Sequence, residues 1–187
     1  MAHVVAISSS PSSTSRTEAV LGTVTGALSA DGHDVHTIAL RGLPAAPLLL
    51  GDATDPSVAA AAERVTTADA VIVTTPVYKA SFGGLLKTFL DLLPQYALQG
   101  KAVLPLATGG TPAHVLVVDY ALRPVLSSLG ATHVTPGWFV LSSHVTVAAD
   151  GSVLLDEAAS TPLAEVTRQF ADAIGRLSPV RAAVAVA

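Results

Sequence analysis

Hydroxyl side chains crowd one short stretch of this 187-residue chain. Residues 8–17 read Ser8-Ser9-Ser10-Pro11-Ser12-Ser13-Thr14-Ser15-Arg16-Thr17, so seven hydroxyls precede Arg16. The stretch follows a compact apolar run, His3–Ser8, and leads into a helical pattern from Thr17 to Leu28. At a helix start the free N–H groups and the dipole attract an anion; here the hydroxyls add donors and Arg16 adds charge. A phosphate monoester is the natural guest. The plainer alternative is a Ser-rich capping loop without a ligand. Neither G-x-x-x-x-G-K-[ST] nor G-x-G-x-x-G occurs there, which excludes a triphosphate P-loop and disfavours a dinucleotide fold.

Two further segments have unusual chemistry. Thr75-Pro76-Val77-Tyr78-Lys79-Ala80-Ser81-Phe82-Gly83-Gly84 follows the continuous apolar run Ala70–Thr75. Its backbone and its Tyr78 and Phe82 faces suit a flat heteroaromatic ring, although the aromatics could equally plug a sheet end. Ala107-Thr108-Gly109-Gly110-Thr111-Pro112 can bring backbone close to a ring edge. A phosphate site beside a planar-ring site is the shape of a flavin mononucleotide (FMN) pocket. A flavin brings its own redox chemistry, so the protein needs only to bind and position it.

The elements that must position these loops are legible as an alternation. Strands are expected at His3–Ser8, Val35–Leu40, Ala70–Thr75, Lys101–Ala107 and Thr132–Leu141. Helices are expected at Thr17–Leu28, Ser57–Ala68, Leu85–Leu93, Ala113–Leu129 and Pro162–Leu177, with a long Pro/Gly/Leu-rich loop over 42–56 and a small hairpin over His144–Leu155. The pattern predicts an α/β, flavodoxin-like, three-layer fold: a five-stranded parallel sheet of order 2-1-3-4-5 with helices on both faces. In that order the loops after strands 1, 3 and 4 meet at the switch point, and they are the three unusual segments above. Residues 1–177 read as one domain and 178–187 as a loose tail.

Composition narrows the class further. The chain is 50% hydrophobic, 4% aromatic and 13% charged, with ten basic against 14 acidic residues and no cysteine. Disulfides, thiolate metal sites and cysteine nucleophiles are thereby excluded. No Lys/Arg block marks a nucleic-acid footprint. Mean hydropathy is +0.56, yet no apolar run approaches the ~20 residues of a membrane span. Met1–Ser10 does not resemble a signal peptide, and a cytoplasmic protein is expected. Six histidines are scattered without metal-ligand spacing.

Ala70–Gly84 (AVIVTTPVYKASFGG), continuing LLKTFLDLLP and then ALQGKAVLPLATGGTPAHVLVVDYALRPVL, resembles the NADPH-dependent FMN reductases of two-component sulfur-scavenging systems, above all those linked to alkanesulfonate. The resemblance is dense over Ala70–Leu129 and weaker over Met1–Ala68. It implies reduction of FMN by NADPH or NADH and delivery of reduced flavin to a flavin-dependent monooxygenase. The alternatives are a quinone or azo reductase with bound FMN, or a flavodoxin-like electron carrier. The family's phosphate loop, G-S-P-R-x-x-S-R, reads Ser9–Arg16 here. The resemblance thus assigns Ser10, Ser12, Ser15, Arg16 and Thr17 to the phosphate, and Pro76, Val77, Tyr78, Lys79, Thr108, Gly109 and Gly110 to the ring. Ser12 stands where the family has Arg, which removes a cation worth ~1–3 kcal/mol and implies weaker flavin retention.

Pro124 lies inside the expected helix 113–129 and leaves the Tyr120 carbonyl without its usual partner, so a kink or π-bulge is expected there. The resembled family carries a π-helix at this Tyr, at a tetramer interface near the flavin. Tyr120 is therefore the candidate for interface stacking and control of flavin transfer. Leu48-Leu49-Leu50 and the Val115–Leu129 helix are expected to bury surplus apolar surface in a dimer or tetramer.

Overall fold

The computed structural model describes the backbone of residues 1–185 and the side chains of residues 1–177. β1 (His3–Ser8), β3 (Ala70–Tyr78) and β5 (Ala102–Gly109) are the runs without polar alternation, and they form the sheet centre, buried along almost their whole length. Both of their faces must be covered, and successive side chains serve opposite faces. Val71 and Val73 pack with α3 (Pro56–Thr67), α4 (Gly84–Leu90) and α5 (Arg123–Ser128). Ala70 and Ile72 pack with α1 (Arg16–Ala30) and α6 (Glu157–Ala185). The two layers centre on the fully buried Phe89 and Phe170, each contributing roughly 1.5–3 kcal/mol by burial.

The sheet runs β2 (Asp34–Ala39)-β1-β3-β5-β6 (His133–Val134), all parallel. The expected order 2-1-3-4-5 is its frame, with two corrections. A two-residue strand, β4 (Ser81–Phe82), folds back antiparallel on β3. The fifth strand is split, because β7 (Trp138–Leu141) takes over from β6 beside β5. The sheet therefore has seven strands, not five.

The split has a local cause. Val103 faces Val134, but Leu106 faces Trp138, so Leu104 and Pro105 stand opposite Thr135, Pro136 and Gly137. Neither Pro105 nor Pro136 has an N–H to give to the ladder, and the extra residue makes a bulge. Arg123 donates to the Val134 carbonyl at 2.9 Å and to the Thr135 carbonyl at 3.4 Å, supplying partners at the break. Its Nε meets Asp119 at 3.0 Å, the i,i+4 pair that closes this corner.

Three loop and helix expectations change. The segment 42–56 is not a bare loop: a 3-10 turn, Leu40–Gly42, is followed by α2 (Ala45–Leu50), which buries Leu48 and exposes Leu49 and Leu50. The helix expected over 113–129 is broken into a 3-10 turn (Pro112–His114), a π-helical turn (Val118–Leu122) and α5. The π turn closes with the Arg123 N–H donating to the Val118 carbonyl, immediately before Pro124. α6 begins at Glu157 rather than Pro162, because Asp156 accepts the Ala159 N–H, and it extends through Ala185, past the expected end at Leu177. Part of the expected tail 178–187, residues 186–187, lies outside the described residues. The hairpin forms as β8 (Val145–Val147) and β9 (Val153–Leu155). Among the described residues no helix is long and apolar enough to cross a membrane.

Gly137 at the bulge has no room for a side chain, since a Cβ there would lie 2.4 Å from the Pro105 carbonyl oxygen. Gly137→Ala is expected to cost about 1–3 kcal/mol of stability by overpacking, read as a lower urea midpoint with an unchanged slope.

Candidate cofactor cleft

Parallel strands all end at one rim, and a cleft of about 410 Å³ opens there. Its walls come from four places in the chain: Thr14–Thr17 after β1, Pro76–Tyr78 at the end of β3, Thr108–Gly110 at the end of β5, and Ser142 with Val147 beyond β7. A volume of this size falls in the range of small-molecule sites.

The first wall is the start of α1. Ser15 is its N-cap, with Oγ accepting the Glu18 N–H at 3.1 Å. Among the described residues nothing accepts from the N–H groups of Ser15, Arg16 and Thr17, all of which line the cleft. Unclaimed donors at the end of a helix dipole form an anion site. Arg16 is exposed, and its Nε donates to the Val145 carbonyl at 3.0 Å, which fixes the guanidinium between α1 and the hairpin.

The loop before the helix is tied down from beneath. Ser9 donates twice to the Thr74 carbonyl, through N–H at 3.1 Å and Oγ at 2.9 Å. Ser10 Oγ donates to the Ser12 carbonyl at 3.0 Å and accepts the Ser12 N–H at 3.2 Å, a local turn. Ser10 and Ser12 are therefore bound to each other and do not line the cleft. Thr17 and Thr108 face each other at 2.5 Å between their hydroxyl oxygens, buried under the floor, and join α1 to the end of β5.

The second wall is the end of β3. Thr75 Oγ1 accepts the Gly83 N–H at 2.9 Å, which pulls the β3–β4 hairpin over the strand end. Its two-residue connection is Lys79-Ala80, with φ of 51° and 63°. Both values belong to a tight hairpin turn that favours Asn-Gly, so this turn holds about 1 kcal/mol or more of strain per residue. The turn carries Lys79 into solvent and off the cleft wall, while Tyr78 lines the cleft at 53% exposure.

The third wall is Thr108-Gly109-Gly110. A Cβ on Gly109 would lie 2.7 Å from Phe139, so only glycine lets the strand end pack on that ring. A Cβ on Gly110 would meet nothing within 4 Å, so its backbone is open to an approaching ligand. Ala107, Val117, Val118 and Phe139 form a small apolar cluster beneath, which seats the π turn against the strand end. Tyr120 on that turn is 78% exposed and is not part of the cleft wall.

Thus the structure gathers Ser15, Arg16, Thr17, Pro76, Val77, Tyr78, Thr108, Gly109 and Gly110, and leaves Ser10, Ser12, Lys79 and Tyr120 outside the wall. Sequence reasoning missed Ser142 and Val147. The hairpin was expected, but its docking against Arg16 spans more than a hundred residues and leaves no local signal.

His144 and Asp156 close the base of the hairpin twice: their side chains pair, and the Asp156 N–H donates to the His144 carbonyl at 3.1 Å. Hydrogen bonding from His144 holds the Asp156 carboxyl below the ordinary aspartate range.

The sequence model of the NADPH-dependent FMN reductases matches residues 2–146. The chain is 49% identical over 145 residues to a Pseudomonas putida protein described as FMN reductase (NADPH), covering 78% of this chain and 74% of that one. An Escherichia coli protein with the same description is 45% identical over 143 residues, covering 76% and 75%. Among solved structures, an apo NADH:FMN oxidoreductase matches with a TM-score of 0.81 and 40% identity, covering 91% of this chain and 88% of that one.

A carboxyl with a lowered native pKa adds stability above its unfolded pKa, and that stability is lost as pH falls through the native value. The stability gap between the wild-type protein and Asp156→Asn is therefore expected at pH 7 and should narrow as pH falls below the ~3.9 of a free aspartate. Urea melts of both proteins across that range measure it.

Proposed function

This chain belongs to the NADPH-dependent FMN reductase family, and we propose how its cleft serves that reaction. As a member it is an oxidoreductase that uses FMN and a reduced nicotinamide nucleotide. The donor set of the cleft fits FMN. One end offers three unclaimed N–H groups and Arg16 for a phosphate; the other offers Tyr78 and the open backbone of Gly110 for a ring. The observation that carries this reading is the meeting of those two ends in one cleft at the switch point of the sheet.

FMN, when bound, supplies the redox centre that accepts hydride from the nucleotide. The residues of the chain have other tasks. Ser15, Arg16 and Thr17 hold the phosphate through N–H groups and one guanidinium. Pro76, Val77 and Tyr78 flank the ring, and Thr108–Gly110 approach its edge. Ser10 shapes the phosphate loop rather than touching the ligand, and Ser12 leaves a neutral surface where relatives of the resembled type have Arg. One guanidinium and an open mouth suit a flavin that arrives, is reduced and departs, which is the behaviour of a reductase feeding a flavin-dependent monooxygenase of the alkanesulfonate type. Val115, Leu116 and Tyr120, on the segment that follows the Thr108–Gly110 wall, are exposed at 49%, 58% and 78%. We assign that patch to contact between copies of the chain, with Tyr120 stacking there beside the route of flavin transfer.

The deciding experiment is oxidation of NADPH and of NADH by purified protein with and without added FMN. FMN-stimulated turnover is expected, and its absence with both nucleotides removes the reading. FMN that survives dialysis and gives ping-pong kinetics with quinones would replace it with a quinone reductase. Arg16→Ala should raise the Kd for FMN roughly tenfold, the size of one charge-assisted hydrogen bond, by fluorescence titration. Tyr120→Ala should shift the sedimentation profile toward smaller species; an unchanged profile refutes the interface assignment.

A further inference from the structure

Ser15-Arg16-Thr17-Glu18 has the spacing of a capping box, in which the first side chain caps the helix and the fourth reaches back to the first N–H. Only half of that box is closed. Ser15 Oγ accepts the Glu18 N–H, but the Glu18 carboxylate does not return to the Ser15 N–H. Its Oε1 accepts instead from Ser8 Oγ and from Arg41 Nη1. Ser8 is fully buried at the end of β1, and Arg41 lies in the 3-10 turn that follows β2. The Glu18 side chain is 20% exposed and the Arg41 side chain 31%, and the carboxylate is held between the two donors.

We propose that Arg41 is a positioning residue for flavin phosphate: by holding Glu18 down against Ser8 it keeps the first N–H of the α1 site open and neutralises the Glu18 carboxylate beside it. This inference rests on the reading of the cleft as an FMN site. Without Arg41, Glu18 is a free anion one helical turn from a phosphate dianion, and the capping box can close onto the Ser15 N–H. Both effects oppose the phosphate, and neither touches the ring. Arg41 therefore selects phosphorylated over unphosphorylated flavin without contacting either. Relatives need not share the device, because it depends on Glu18 at the third helical position.

The test is equilibrium binding of FMN and of riboflavin, without nucleotide, by quenching of flavin fluorescence, with thermal melts to confirm folding. Arg41→Ala should weaken FMN binding roughly tenfold and leave riboflavin within about twofold, the loss of one charge-assisted contact. Arg41→Lys should recover most of the loss, since a lysine can still pair with Glu18. Adding Glu18→Ala to Arg41→Ala should also recover most of it, since both the anion and the side chain that could close the box are gone. Equal weakening of both flavins, no weakening, or a double variant as poor as Arg41→Ala would each overturn the role of Arg41. If the wild-type protein binds FMN no more tightly than riboflavin, the phosphate reading of the cleft falls, and this inference with it.

Discussion

The parallel pairing of β1, β3 and β5 is the constraint on which the molecule depends. Strands that run the same way end at the same rim, so loops drawn from residues 14–17, 76–78 and 108–110 must meet there. The same pairing demands helices on both faces, and this is why α1 starts where β1 ends, with its free N–H groups at the rim. The buried Thr17–Thr108 contact ties that helix start to the end of β5. Binding elements and core are one construction here, since the strand ends that face the cleft are continuations of the most buried runs in the chain.

Around this frame the protein departs from ideal geometry where the cleft needs it. The two prolines at the β6–β7 break insert a residue and move β7 past β6, so that Ser142 reaches the rim. Pro124 favours a π turn over a regular helix, and the turn is seated on Phe139 and Val117 below Gly109. The Lys79-Ala80 turn accepts left-handed backbone at two residues with side chains to fold β4 over the strand end. Each departure is local, confined to a few residues of the chain.

Charge near the cleft is sparse, which gives individual groups weight. Arg16 is the one cation on the cleft wall among the described residues, and its Nε is spent on the Val145 carbonyl. The orientation of its remaining donors thus follows the hairpin, and the hairpin follows the His144–Asp156 closure and the cap of α6. A segment beyond the family match at 2–146 thereby governs a residue within it. Glu18 is the opposing charge, neutralised by a residue on a different element.

Much of this was legible along the chain. Unbroken apolar runs identify the central strands because a doubly covered strand has no wet face to mark with polar residues. The hydroxyl-rich turn before α1, the T-G-G step and the proline that forces the π turn are local signals, set by backbone chemistry within a few residues. The split fifth strand was not legible, because a bulge depends on two prolines meeting across strands. Nor was α2, where only Leu48 finds the core, or the exclusion of Ser12 and Lys79 from the wall, which turns on one backbone turn in each case. The sequence by itself determined the layered α/β frame and the three loops at its rim, since period and composition act locally. Tertiary structure alone decided which side chains face the cleft, the docking of Val145 on Arg16 and of Arg41 on Glu18, because those contacts join segments that only the folded sheet brings together.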